Sequence, residues 1–170
     1  MFIRQERESD HTEIFRVDQL AFGRNAEALL VDEIRETEYY RSGLSLVAVE
    51  QNEIMGHIMF SRIWIETERG TVPVLGLAPM AVRPDRQKQG IGSALVNEGL
   101  QRCRLDGGTV VVVVGHPDYY PRFGFVRAST KGLKAPFPVP DDAFMVIELA
   151  DRALDGIEGA VKYPSVFDCV

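Results

Sequence analysis

Apolar side chains recur at helical spacing in the first part of the chain. Asp10 followed by Glu13 three residues later predicts a helix start. The next turns supply an apolar face made of Ile14, Phe15, Val17, Leu20 and Ala21. Asn25 predicts the cap of a second helix that runs to about Glu36, with Leu29, Leu30 and Ile34 turned inward. The pattern therefore predicts two amphipathic helices at the start of the chain.

The pattern then changes to short apolar stretches separated by turn residues. We expect strands over 44–49, 54–65 and 72–82, with turns at 51–53 and 68–70. Connections this short join neighbouring antiparallel strands. The middle of the chain is therefore predicted to form an antiparallel meander.

A helix and a fully apolar stretch follow the meander. Gly90 to Arg104 has a helical pattern, and Val110–Val114 is an uninterrupted run of valines. A run without polar alternation is typical of a strand buried on both faces, as in a parallel pair. The strand at 72–82, the helix and Val110–Val114 then form a right-handed crossover with parallel strands. The expected fold class is α/β, with a mixed, mostly antiparallel sheet, one parallel strand pair and flanking helices.

The last part of the chain is less regular. Tyr119 to Phe123 predicts a short helical turn, and 144–149 predicts a last strand. The prolines between Lys134 and Pro140 exclude regular structure there, because proline lacks a backbone donor and fixes φ. We place no domain boundary and interpret 1–170 as a single domain, with a core of about 1–150 and a packed C-terminal tail of about 151–170.

Length and composition are those of an ordinary globular domain. The 170 residues are enough for a hydrophobic core, and 45% apolar and 26% charged residues are typical values. No apolar stretch reaches the roughly 18 residues that a membrane span needs, and the first eight residues lack the core of a signal peptide. Cys103 and Cys169 do not have the spacing of a metal site. We expect a cytoplasmic protein without a metal and without membrane association.

The net charge of −6 is concentrated at the start of the chain. Residues 1–40 hold ten acidic and five basic side chains and so carry −5. A surface that binds nucleic acid has the opposite sign, so this charge argues against that function. It favours a cationic partner such as an amine, although a solvated helix face also explains it.

One stretch has the composition of an anion-binding site. The end of the strand at 72–82 leads into a loop with Arg83, Arg86 and Lys88, and then to Gly90 and Gly92 at a helix start. Glycine lets a ligand approach the main chain. The first N–H groups of a helix have no internal partner and lie at the positive end of its dipole. The stretch therefore predicts a site for a phosphate or pyrophosphate.

Two well-known nucleotide motifs do not fit this stretch. A P-loop needs a lysine between its last glycine and the Ser or Thr, but Ser93 follows Gly92 directly. A dinucleotide-binding turn needs a third small residue where this chain has Leu95. An NTPase and a Rossmann-type dehydrogenase are therefore both disfavoured.

The segment Gln87-Lys88-Gln89-Gly90-Ile91-Gly92 resembles the cofactor signature Gln/Arg-x-x-Gly-x-Gly/Ala of the GNAT N-acetyltransferases. Tyr120 to Phe125 is similar to that family's Tyr-x-x-x-Gly-Phe segment, and the longer string from Gly115 resembles the YhbS-like predicted acetyltransferases. The order of two helices, meander, motif helix and buried strand is also that of the family, over roughly residues 1–150. The resemblance implies the GNAT acyl-CoA N-acyltransferase fold and acetyl-CoA as the cofactor.

The resemblance also assigns the cofactor-binding residues. In this family the fourth strand carries a bulge and splays away from the fifth, and Pro79 fits such a bulge. The free backbone groups of Met80, Ala81 and Val82 would then bind the pantetheine arm, and one N–H would polarise the thioester carbonyl. The pyrophosphate would lie on Gln87, Lys88, Gln89, Gly90, Ile91, Gly92 and Ser93.

The resemblance is less complete for proton transfer. Tyr120 stands where the family often places the acid that protonates the departing thiolate, and Tyr119 is the neighbouring alternative. Many relatives use a glutamate on the fourth strand as the base, but the strand at 72–82 has no acidic residue. His116, Asp118 and His57 are candidates. Their ordinary explanations are a histidine that positions a loop, a turn residue and a strand-surface histidine.

The leading hypothesis is an enzyme that transfers an acetyl group from acetyl-CoA to an amine, by direct attack on the thioester in a ternary complex. The acceptor is either a small molecule or a protein amino group. The alternative is a non-catalytic acyl-CoA-binding or sensory domain, which the missing strand glutamate leaves open. The sequence identifies neither the acceptor nor the oligomeric state, for which a homodimer is the common arrangement.

Overall fold

A mixed sheet of nine strands carries three α-helices in the computed structural model, which describes residues 1–170. The helices are α1 (His11–Phe22), α2 (Ala26–Arg35) and α3 (Ile91–Leu105). The strands are β1 (Phe2–Gln5), β2 (Ser45–Glu50), β3 (Glu53–Thr67), β4 (Gly70–Val82), β5 (Val110–Val114), β6 (Val126–Arg127), β7 (Leu133–Lys134), β8 (Phe144–Glu148) and β9 (Gly159–Lys162). None of the helices is both long and apolar enough to span a bilayer.

The sheet combines an antiparallel meander with one crossover. Strands β1 to β4 pair antiparallel in sequence order, and β5 then pairs parallel to β4 after the crossover through α3. Strand β8 pairs antiparallel with the other edge of β5, and the short β6 pairs with β8. The predicted fold class, a mixed and mostly antiparallel sheet with flanking helices, is confirmed. The short strands β7 and β9 form a second parallel pair that was not predicted.

The helices cover opposite faces of the sheet because strand side chains alternate between faces. In β2, Leu46 and Ala48 pack in the core under α3, whereas Val47 and Val49 pack in the core under α1 and α2. The valines of β5 continue this alternation. Val111 and Val113 join the core under α3, while Val110 and Val112 join a third cluster near β9. Val110–Val113 are therefore buried on both faces, as the pattern predicted, whereas Val114 at the end of the run is 41% exposed.

Four short strands were not predicted from the sequence, and one of them changes the role of the tail. β9 pairs antiparallel with the outer half of β3, where Ala160–Lys162 lie opposite Trp64–Glu66. The chain then forms a short 3-10 turn at Ser165–Cys169, which packs against α2. The last twenty residues thus supply a strand of the sheet and, as shown below, one wall of the cleft.

Asp10 and Asn25 occupy the predicted N-cap positions of α1 and α2, but neither side chain bonds to the helix that it precedes. The Asp10 carboxylate accepts hydrogen bonds from Arg4 and from the Arg7 backbone N–H, 2.7 Å away, rather than from the helix that follows it. The Asn25 side chain accepts a hydrogen bond from Gln19 at 2.8 Å and does not cap α2. In both cases a nearby side chain or loop donor competes with the helix N-terminus for the same oxygen.

A polar network is buried where α2, β2 and β3 meet. Glu6 accepts hydrogen bonds from Arg35 at 2.9 Å, from Tyr40 at 2.7 Å and from Ser45 at 2.7 Å. The Ser45 hydroxyl also lies 2.9 Å from Nε2 of His57. His57 is fully buried, with Asp18 at 3.4 Å from its Nδ1. The expectation of a strand-surface histidine is therefore wrong, because β3 is covered by α1 at this position.

Candidate active site

The parallel strand pair separates after a short contact. β4 and β5 pair only through Leu75–Leu77 and Val111–Val113. A bulge follows in β4, because Ala78 and Pro79 together stand opposite Met59 of β3. Beyond it, β4 continues to Val82 with β3 as its only neighbour, while β5 remains paired with β8. The splay expected around Pro79 is confirmed, and it opens a gap between the two strands.

The glycine motif forms the start of α3 at the mouth of this gap. Gly90 adopts a left-handed conformation with φ of +87°, and the space beside its Cα is open. The backbone N–H groups of Ile91, Gly92 and Ser93 donate to no acceptor within the chain. The Gln87 side chain holds the loop against β4 by donating to the Val82 carbonyl at 3.1 Å. This geometry presents a row of unpaired donors, as an anion site requires.

A single cleft of about 1360 Å³ connects the splay to the start of α3. Eleven of the twelve residues predicted for the site line it. Gln89 does not, and its side chain instead lies 3.3 Å from Arg86 Nε. The lining residues that were predicted are Met80, Ala81, Val82, Gln87, Lys88, Gly90, Ile91, Gly92, Ser93, His116 and Tyr120.

The cationic residues near the motif divide into two groups. Arg83 is paired with Asp85 and Glu53 and does not line the cleft. Arg86 lines the cleft but is paired with Glu50. Lys88 and Arg122 also line it, and neither makes an ion pair. Arg122 was not predicted. The turn at Tyr120–Phe123 brings it to the cleft, where its guanidinium lies 4.6 Å from the centre of the Tyr119 ring.

The glycine at position 92 has a packing role. A Cβ at this position would lie 2.9 Å from the Tyr119 hydroxyl and 3.5 Å from the Met80 side chain. The same hydroxyl lies 3.4 Å from the Ser93 Oγ. Tyr119 therefore packs directly on the start of α3, at the end of the cleft that holds the unpaired N–H groups.

Tyr120 presents a free hydroxyl to the cleft. Only 6% of the residue is exposed, and its ring packs edge-on against Phe125 at 5.6 Å. The absence of a side chain at Gly115 admits the ring, since a Cβ there would lie 2.3 Å from it. The hydroxyl has no hydrogen-bond partner in the chain, yet it is not among the polar atoms that are fully enclosed. Burial raises the pKa of Tyr120, so the hydroxyl remains protonated at neutral pH.

The structure does not bring all the candidate bases together. His116 is exposed at the rim of the cleft, and its backbone carbonyl accepts the Tyr119 N–H at 3.1 Å. Asp118 and His57 do not line the cleft. The carboxylates that do line it are Glu27 and Asp168, and neither was predicted. They lie on α2 and in the C-terminal turn, far from the motifs, so only the fold brings them to the site.

The part of the cleft away from α3 has a different character. Its walls come from the junction of α1 and α2, from the loop at Pro136–Phe137 and from the segment Lys162–Val170. Its aromatic residues are Phe22, Phe137, Tyr163 and Phe167. No motif marks these residues in the sequence, because they come from segments that are far apart in the chain.

Comparison with known proteins agrees with the fold and the motif. The sequence profile of the acetyltransferase (GNAT) domain matches residues 2–128. This chain therefore belongs to the GNAT acetyltransferase family, as the resemblance of the motifs predicted.

Two proteins from Escherichia coli K12 are similar to this chain over most of its length. The chain is 34% identical to the N-acetyltransferase YhbS over 168 residues, which covers 99% of both proteins. It is 41% identical to the N-acetyltransferase YjhQ over 135 residues, which covers 79% of this chain and 75% of YjhQ.

Solved structures extend the comparison to bound ligands. The crystal structure of E. coli YhbS in complex with CoA is similar to this structure, with a TM-score of 0.90 over 98% of this chain and 91% of YhbS. A GNAT acetyltransferase from Brucella melitensis in complex with acetyl-CoA matches with a TM-score of 0.80 and 32% identity, over 98% of this chain and 97% of that one.

Proposed function

We propose that this chain transfers an acetyl group from acetyl-CoA to an amine by direct attack in a ternary complex. One observation carries the proposal. The splay of β4 and β5, the unpaired N–H groups of α3 and the free hydroxyl of Tyr120 open onto one cleft. A pyrophosphate, a thioester and a leaving sulfur each need one of these three features.

The residues present fit coenzyme A along the length of the cleft. The N–H groups at Ile91–Ser93 suit a pyrophosphate, and Lys88 and Arg122 supply unpaired positive charge beside them. The edge of β4 at Met80–Val82 has no strand beside it and suits the amide groups of the pantetheine arm. The relatives crystallised with CoA and acetyl-CoA support this assignment.

The proposed reaction needs two proton movements around one acyl transfer. Acetyl-CoA supplies the thioester carbon that is attacked and the sulfur that leaves. A backbone N–H at Met80–Val82 polarises the carbonyl. The amine nitrogen forms the new N–C bond, the C–S bond breaks, and Tyr120 donates its proton to the sulfur. His116, at the rim, accepts the proton of the amine directly or through water.

The test is amine-dependent release of free thiol from acetyl-CoA. A panel of protein N-termini, polyamines, amino acids and arylalkylamines should include at least one acceptor that releases thiol well above the rate without amine. Mass spectrometry should show the acetylated amine. A chain that binds acetyl-CoA in calorimetry but gives no amine-dependent thiol release would instead be the non-catalytic acyl-CoA-binding domain.

A further inference from the structure

The part of the cleft away from α3, outside the proposed coenzyme A site, has an aromatic wall formed by Phe137, Tyr163 and Phe167. Phe137 and Tyr163 have ring centroids 5.9 Å apart, and Tyr163 and Phe167 have centroids 5.1 Å apart. The three rings come from two separate segments of the chain, and all three line the cleft. Phe137 is 43% exposed, so part of this apolar surface remains uncovered. Aromatic rings pair favourably at centroid separations of about 4.5–7 Å, so the exposed face of Phe137 can pair with a ring of a ligand.

This wall adjoins the place where the strands separate. A Cβ at Gly76 would lie 3.5 Å from the Tyr163 ring, and Gly76 pairs with Val112 in the parallel segment just before the splay. Ala78, within the bulge, packs in the same cluster as Tyr163 and Phe167. A group that lies on the wall is therefore held next to the position proposed for the thioester.

A carboxylate faces the same space from α2. Glu27 lines the cleft, is only 7% exposed and is paired with Arg24, whose Nε lies 3.0 Å from its oxygens. Leu30, one turn along the same face of α2, packs with Phe167. A carboxylate has about four acceptor positions, so Glu27 retains capacity for an ammonium group after pairing with Arg24.

These observations name a class of acceptor. We propose that the acceptor is a primary amine that carries an aromatic group, with its ring against Phe137, Tyr163 and Phe167 and its amino group beside Glu27. This inference rests on the proposed acetyl transfer and adds its substrate class. An arylalkylamine and a peptide with an aromatic N-terminal residue share this chemistry, since each places a ring a few bonds from an amine.

The experiment compares two amines that differ by one ring. 2-Phenylethylamine should have a kcat/KM at least about tenfold above that of ethylamine, because its phenyl group is transferred from water to the aromatic wall. Peptides with N-terminal Phe and N-terminal Ser, compared in the same assay, identify the source of the ring. Phe137→Ala, a change at an exposed position, should reduce the preference for 2-phenylethylamine at least about fivefold. Tyr163→Phe keeps the ring and should retain the preference.

Two further variants separate the wall from the carboxylate. Glu27→Gln should raise the KM of both amines by about tenfold and leave their ratio unchanged, because it weakens a charge-assisted hydrogen bond to the amino group. Arg24 also lines the cleft, so Arg24→Ala removes a cation from the site and keeps the carboxylate, and it should lower these KM values or leave them unchanged. Phe2→Ala removes an exposed aromatic ring outside the cleft and is the control for Phe137→Ala.

Each contrary result has a distinct meaning. If ethylamine and 2-phenylethylamine react equally well, or if Phe137→Ala leaves their ratio unchanged, the aromatic acceptor is wrong while acetyl transfer stands. A higher rate with longer acyl-CoA thioesters, without a higher rate for aromatic amines, would also overturn the proposed acceptor class. Absence of thiol release with every amine would overturn both this inference and the proposed function.

Discussion

Two adjacent tyrosines occupy different chemical positions in the cleft. The Tyr119 hydroxyl lies against Ser93 and Gly92 at the start of α3, at the end proposed for the pyrophosphate. The Tyr120 hydroxyl has no partner in the chain and faces the cleft from a ring that is almost fully buried. Because burial disfavours the phenolate, the pKa of Tyr120 is raised and its hydroxyl carries a proton at neutral pH.

We therefore expect Tyr120→Phe to slow the chemical step by about 100-fold or more, the usual contribution of a positioned acid. The substitution keeps the ring and its packing, so the KM for acetyl-CoA should change little. Steady-state kinetics with a saturating acceptor measure both quantities. Tyr119→Phe is the control, and its kcat should be close to that of the wild type. If Tyr120→Phe turns over normally while chemistry limits the rate, this tyrosine serves packing alone.

Residues that are neighbours in the sequence were the easiest to predict. The motif at 87–93 and Tyr120 lie in local patterns that can be recognised without a structure, and all but Gln89 line the cleft. Glu27, Phe137 and Tyr163 come from separate elements and meet only after folding. The sequence pattern does not indicate that these distant residues lie close together in the fold. For the same reason His57 has the pattern of an exposed strand position, although α1 buries it.

The start of α3 offers a test of the proposed anion site. Gly90→Asp places a negative charge beside the unpaired N–H groups, where we propose that the pyrophosphate lies. Calorimetry should show that binding of acetyl-CoA is lost. The φ of +87° at Gly90 means that any side chain here costs about 1 kcal/mol of stability.

Gly90→Asn is the matched control, because it has nearly the same shape, tolerates a left-handed conformation and lacks the charge. Both variants should melt slightly below the wild type, and only Gly90→Asp should lose binding. Normal binding by Gly90→Asp would place the pyrophosphate elsewhere.

The buried network around Glu6 lies between α2, β2 and β3 and makes their association sensitive to acid. Burial alone would raise the pKa of Glu6, but hydrogen bonds from Arg35, Tyr40 and Ser45 outweigh it and lower the pKa to about 2. A carboxylate whose folded pKa lies below its ordinary value of 4.5 stabilises the fold above that value. This contribution, about 3 kcal/mol, is lost as the pH falls from about 4.5 towards 2.

We expect the melting temperature of the wild type to fall as the pH drops from about 4.5 towards 2 because of this linkage. Glu6→Gln should melt lower at neutral pH and should show a shallower dependence on acid. Glu33→Gln, at an exposed residue without an ion pair, is the control and should follow the wild type. Equal acid slopes for Glu6→Gln and the wild type would show that other carboxylates dominate.

The elements that sequence patterns did not predict share a physical property. β6 and β7 contain two residues each, and β1 and β9 contain four, so none is long enough to show an alternation. Each forms because a longer strand offers it free backbone groups, as β3 does for β9. The long meander and the valine strand were predicted because their own residues determine their burial.

Over the whole molecule, the negative charge of the first forty residues is only partly neutralised. Glu6, Asp10, Glu27 and Asp32 form ion pairs with arginines of the same stretch. Exposed carboxylates that make no ion pair remain at Glu8, Glu33, Glu36 and Glu38. The chain as a whole retains a net charge of −6. These groups belong to the part of the molecule that contains α1 and α2, whose junction forms one wall of the proposed acceptor site.

We therefore expect the acceptor, as an ammonium ion in solution, to be attracted to this side of the molecule. Its kcat/KM should fall a few-fold from low to physiological ionic strength, where the Debye length is about 8 Å and the field of exposed carboxylates is screened. The double substitution of Glu33 and Glu36 by Gln removes two of these charges outside the cleft and should reduce the salt dependence without changing kcat at saturating acceptor. A rate that is independent of salt would show that the exposed carboxylates do not attract the acceptor. Recognition of the amine would then rest on short-range contacts such as the one proposed for Glu27, which solvent screens far less because that carboxylate is buried.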